Sequence, residues 1–169
     1  MARVDVFRTA KDGTFLFYNV EAAVGMGGAN RKDDVLLVQY LLKIVAAGGN
    51  LVVEWKTFPG GRSGNTTMQS PSTPDPGLTG VWNDWDVARL KGVELFAIKK
   101  GVSTWQDGRV DPVPYGRTHG PAHHMQYKII TLNVMYAKLR PSDFPRMSQA
   151  GDCPAELRPL IGAPEWLSG

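Results

Sequence analysis

The sequence predicts a mainly helical domain with a small β element, on three observations. Three segments carry apolar residues at helical spacing: Val35, Val38, Leu41, Leu42 and Val45; then Val87, Leu90, Val93, Phe96 and Ala97; then Ile129, Leu132, Tyr136 and Leu139, with Asn133 on the same side. Two of them follow a helix-start signal, Asn30 with Asp33 and Asn83 with Asp86. The first twenty residues instead alternate in the manner of a hairpin.

In chain order, Val4 and Val6 alternate with polar neighbours, Lys11-Asp12-Gly13-Thr14 supplies a turn, and Phe15-Leu16-Phe17-Tyr18 forms the second strand. Residues 25–28 are glycine-rich and read as a flexible entry loop. The first helix is expected to start within two residues of Arg31, with Asn30 as its cap and Asp33 and Asp34 at the positive end of its dipole. Gly48-Gly49 stops it. Leu51-Val52-Val53-Glu54-Trp55 is rich in strand formers and can pair with the hairpin. Residues 57–77 hold so many Gly, Pro, Ser and Thr that almost nothing there can be buried, so a long mobile loop is expected. The second helix follows Asn83 and ends at Gly101, and Asp107-Gly108 makes a turn. The third helix runs from about Met125 to Leu139 and stops before Pro141. A helical turn near Pro154–Arg158 interrupts an otherwise extended C-terminal tail, residues 141–169, packed outside the core. The whole is one domain over 1–169: hairpin 1–20, helical core 24–140 and tail.

A chain of 169 residues with 43% hydrophobic content can bury a full core without disulfide or metal. The single cysteine, Cys153, allows no intrachain disulfide and has no obvious base beside it. A net charge of +3 is far from the basic patches of a nucleic-acid binder. No apolar run approaches a membrane span. The stretch Met1–Val6 lacks the apolar region of a secretory signal, so a chain cytoplasmic as synthesised is expected. Lysis or a secretion device would then carry it to the periplasm or cell exterior.

Residues 24–111 resemble the bacterial peptidoglycan-binding domain in two separated halves. The first half is the glycine loop through Gly27-Gly28, then Asp34-Val35, Val38-Gln39 and Leu42. The second is Gly80-Val81-Trp82, Phe96, Gly101, Asp107-Gly108 and Val110. Ala97 stands where the family has a second Gln, and Asn83 where it has a glycine. The resemblance implies a three-helix core and non-catalytic recognition of peptidoglycan or a related polymer. The same fold serving protein contacts in a phage-like or secretion assembly is the alternative.

Four residues are candidate ligand contacts. Gln39 can hydrogen-bond a glycan or stem peptide, or hold backbone groups inside the fold. Trp82 and Trp85 flank the second helix start, where they can stack on sugars or serve as a hydrophobic staple. Arg89, one turn on, can meet a carboxylate. No enzyme, cofactor or metal is expected. His119, His123 and His124 are broken by Gly120-Pro121 and lack the glutamate of a zinc-protease motif. Asp84, Asp86 and Asp107 sit in capping and turn patterns, with no reason to pair across an active site.

Overall fold

The computed structural model describes residues 2–9, 13–48, 71–114 and 125–162. It is mainly helical with a small β element, as the sequence predicts. Strands β1 (Arg3–Thr9) and β2 (Gly13–Asn19) pair antiparallel, with Val4 opposite Tyr18. Strand β3 (Val24–Gly25) precedes helix α1 (Lys32–Ala47). Helix α2 (Asp84–Lys99) follows, then β4 (Arg109–Val110), which pairs antiparallel with β3, and helix α3 (Lys128–Leu139). A 3₁₀ turn (Met147–Gln149) lies in the C-terminal segment. The expected strand 51–55, the histidine cluster and most of loop 57–77 lie outside the described residues.

Helix α1 is the centre of the core. Its predicted stripe is fully buried, but so are Leu36, Leu37, Gln39, Tyr40 and Ile44. A helix apolar nearly all round must be covered on every side. Helices α2 and α3 cover two sides, and β2 packs on α3. The C-terminal segment covers another, which corrects the expectation of an extended tail lying outside. Met147, Ala150, Cys153, Leu157 and Ile161 are all buried in the same core cluster. Tyr40 donates to the Asp152 carboxylate at 3.0 Å, and Arg140 clamps that carboxylate with two bonds of 2.7 and 2.8 Å. The bidentate Arg140 pair holds the Asp152 carboxyl below the usual range. Burial pushes the Tyr18 phenol up to about 12; its hydroxyl donates to the Pro145 carbonyl and accepts from the Met147 N–H.

The start of α1 falls within one residue of the expected position, but Asn30 is not its cap. The N-cap is Arg31, without a side-chain bond. Asn30 stands in the left-handed region, at φ 49°, and turns its side chain back onto Gly25 and Gly28. This fastens the glycine loop that the sequence alone suggests is flexible. Gly25 itself, at φ 103°, lies so close to the Gly108 carbonyl that a Cβ would overlap it. Asp34, fully buried, accepts from the N–H groups of Glu21 and Ala22 at 3.0 Å each and ties the hairpin exit to α1.

One device recurs. Asn19, Asn30, Asn133 and Gln39 each accept from a backbone N–H and donate to a backbone carbonyl, so a side-chain carboxamide substitutes for a strand edge. Asn133 does this to Tyr18 at 2.8 and 2.9 Å and pins β2 to α3; Asn19 does it to Val113 at 3.0 and 2.9 Å. Each pairing satisfies two main-chain groups that burial would otherwise leave unpaired.

Helices α2 and α3 depart from their predicted faces in part. Val87 is 46% exposed and Leu139 44% exposed. The buried side of α2 runs through Asp86, Leu90, Val93, Glu94 and Ala97, with two carboxylates at core positions. Glu94 meets the buried Lys128 Nζ at 2.8 Å and the Gly108 N–H at 3.1 Å. Lys128 also pairs with Asp107. This charged triad joins α2, the turn before β4 and the first residue of α3, which starts at Lys128 rather than Met125. Desolvation works to raise the Asp107 carboxyl, and the Lys128 ammonium outweighs it, holding the group below its ordinary range.

Candidate ligand-binding surface

Gln39 joins the two halves of the resemblance. From the middle of α1 its side-chain oxygen accepts from the N–H groups of Thr79 and Gly80 at 3.1 and 2.9 Å. Its amide donates to the Val81 carbonyl at 3.0 Å and to the Asp86 carboxylate at 2.7 Å. The Thr79–Val81 turn is thereby pressed onto the start of α1. Gly80 takes φ 72°, and a Cβ there would stand 2.6 Å from Lys32 Cγ. Only glycine fits so close an approach at positive φ.

The same turn delivers α2 with a complete capping box. Asn83 Oδ1 accepts from the N–H groups of Trp85 and Asp86 at 2.9 and 3.3 Å, and Asp86 returns a bond to the Asn83 N–H at 3.1 Å. Desolvation raises the Asp86 carboxyl above its ordinary range, against the bonds from Gln39 and the Asn83 N–H.

Of the four candidate ligand contacts, Gln39 is therefore corrected to an internal role. The residue is 1% exposed and both of its side-chain polar atoms are committed within the fold. Trp82, at the residue before the cap, packs half-buried against the core cluster. Trp85 and Arg89 lie on one face of α2, and the guanidinium sits over the indole ring at 5.5 Å from its centroid. Both are engaged by the preceding segment 71–77. Trp85 Nε1 donates to the Thr73 carbonyl at 2.8 Å, and Arg89 pairs with Asp75. The Arg89 bond holds the Asp75 carboxyl below its ordinary range. Asp75 also accepts from the Gly77 N–H at 2.9 Å. This end of the predicted mobile loop is thus tied onto the candidate surface. Thr73 and Asp75 escaped the sequence reading because a Pro-rich stretch offers no periodicity; the acidic residue between Pro74 and Pro76 was the available signal.

Two apolar side chains near this clamp are exposed. Val81 is 66% and Val87 46% exposed, one on each side of the helix start. Asp86 and Asp107 are each absorbed in a separate internal network. Among the described residues no group of His, Cys, Asp and Glu is arranged to hold a metal ion, and no helix is long and apolar enough to cross a membrane. The buried Cys153 thiol is pushed up by burial. No family model, curated protein or solved structure matches the chain.

Proposed function

We propose that this chain is a non-catalytic binding module that recognises cell-wall peptidoglycan or a related polymer through the entry of α2. One observation carries the reading. Gln39, Gly80 and Asp86, which lie on opposite sides of the interruption in the family-like pattern, form a single hydrogen-bonded unit. That unit fixes the turn and the first turn of α2 as a rigid platform, and a site on a rigid element is held in register for its ligand. Trp85 and Arg89 lie on this platform; the indole would stack on a sugar, and the guanidinium, released from Asp75, would meet a stem-peptide carboxylate.

The test is co-sedimentation with insoluble sacculi. Trp85→Ala should weaken binding about tenfold or more, as loss of an aromatic anchor does, while the half-buried position keeps the melting midpoint near wild type. A loss of roughly 3–5 kcal/mol of stability would instead make Trp85 a core residue and sink the assignment. Intact binding with normal melting would move the site elsewhere.

A second reading, a structural or adaptor subunit of a phage-like or secretion assembly, draws on the exposed Val81 and Val87. These offer apolar area, which suits a protein partner better than a glycan. Wild-type protein that ignores sacculi, yet captures a partner lost on Val81→Asp, would favour it.

A further inference from the structure

We propose that the segment Pro71–Gly77 is an internal ligand: it fills a peptide-carboxylate site on α2, and an acidic peptide binds there by displacing it. The inference rests on the reading above that the α2 entry is the binding surface. The site consists of two donors one helical turn apart, the Trp85 indole N–H and the Arg89 guanidinium. Each faces a group that any acidic peptide possesses. The indole N–H meets a main-chain carbonyl, that of Thr73, at 2.8 Å. The guanidinium meets a carboxylate two residues further on, that of Asp75.

Three features make the segment a competitor rather than a fixed part of the core. Each residue from Ser72 to Pro76 is exposed, so the segment contributes no side chain to the core. Its ion pair remains in contact with water on the Asp75 side, 35% exposed against 18% for Arg89, so water can solvate the carboxylate as it leaves. Its bonds to α2 come from side chains and main-chain atoms that a peptide supplied in trans can duplicate. Pro71, Pro74 and Pro76 stiffen the backbone, so holding the carbonyl and the carboxylate in register loses little chain entropy. At the other end the segment runs into the Thr79–Val81 turn, which Gln39 fixes. It can therefore swing away from Trp85 and Arg89 without disturbing the capping box.

The probe is a fluorescent peptide, Pro-Ser-Thr-Pro-Asp-Pro-Gly, with an Asn-for-Asp counterpart, offered to the full chain. A site occupied internally in about nine of ten molecules has its affinity for an outside ligand lowered roughly tenfold. Asp75→Asn should thus bind the acidic peptide roughly tenfold tighter than wild type. The gain should vanish for the Asn peptide and for Asp75→Asn combined with Arg89→Gln. Equal binding by wild type and Asp75→Asn, or a gain that survives Arg89→Gln, overturns the proposal. A second readout requires no variant. Saturating acidic peptide should shift the Trp85 indole N–H resonance of wild-type protein, and an unmoved resonance overturns the proposal equally. Sacculi offered in parallel separate the two readings. Peptide binding without sacculus binding leaves the internal-ligand device standing and removes peptidoglycan as the target. Sacculus binding identical in both proteins, with no peptide binding, does the reverse.

Discussion

Lys128→Met should destabilise the domain by about 3–5 kcal/mol, the loss expected when one partner of a buried ion pair is removed. Lys128 is 4% exposed and Glu94 fully buried. Without the ammonium, Glu94 retains the Gly108 N–H and a distant Lys91 Nζ at 3.8 Å, too little to balance a buried carboxylate. Asp107, whose side chain is 44% exposed, recovers water and contributes less. The penalty is therefore centred on one group, and removing its charge should restore most of the loss. The double variant Lys128→Met/Glu94→Gln should unfold in urea well above the single variant. If Lys128→Met leaves the midpoint unchanged, the triad contributes nothing to the joining of α2 to α3. Against a total stability of roughly 5–15 kcal/mol for a domain, the single loss is large enough to deplete the folded state.

Gln39→Leu should cost about 2–4 kcal/mol, since it keeps the volume but strands the N–H groups of Thr79 and Gly80 and removes a donor from the buried Asp86. Gln39→Glu separates hydrogen bonding from charge. A glutamate can still accept from Thr79 and Gly80 but faces Asp86 as a second carboxylate. Asp86 already titrates above its ordinary range because of desolvation. A carboxyl raised in the folded state contributes stability below its unfolded pKa, and that contribution is lost as pH rises through the folded value. The Glu variant should accordingly be much weaker than wild type at neutral pH and recover on acidification. Gln39→Leu withdraws a donor from the Asp86 carboxylate but adds no second charge, so it should recover less on acidification than the Glu variant. Urea midpoints of the two variants at neutral and acidic pH check this, and parallel pH profiles would show that Asp86 and residue 39 are not coupled.

The sequence disclosed those parts of the structure in which local chemistry and tertiary packing agree. The Asn83/Asp86 box and the Asp107-Gly108 turn are of this kind, because their defining bonds close within three residues; the α1 stripe is legible because its period is helical whatever covers it. Where a residue serves a partner outside its own helix, the local signal misleads. Asn30 resembles a cap by type and spacing, yet its amide is used on Gly25. Hydropathy places Val87 on the core face of α2; the true face admits Asp86 and Glu94, whose partners Gln39 and Lys128 lie on other helices. The C-terminal segment was illegible for a related reason. Met147, Ala150, Cys153, Leu157 and Ile161 recur every three or four residues, but Gly151 and Pro154 break the stretch into turns, so the spacing does not announce a helix although it delivers one buried side. At the candidate surface, Trp85 and Arg89 could be paired by their spacing, but not the segment that occupies them.

The envelopment of α1 sets an order of events during synthesis. Its cover comes from both directions along the chain, from Tyr18 and Val20 before it and from Met147, Leu157 and Ile161 far after it. A ribosome that has released α1 and α2 has released an apolar rod whose remaining wall is still inside the exit tunnel. The nascent chain must keep part of that rod uncovered until the last described turn emerges, so native closure waits on residues far downstream of α1. For that interval the burden of preventing misassociation falls on chaperones and on the speed of elongation rather than on the fold itself.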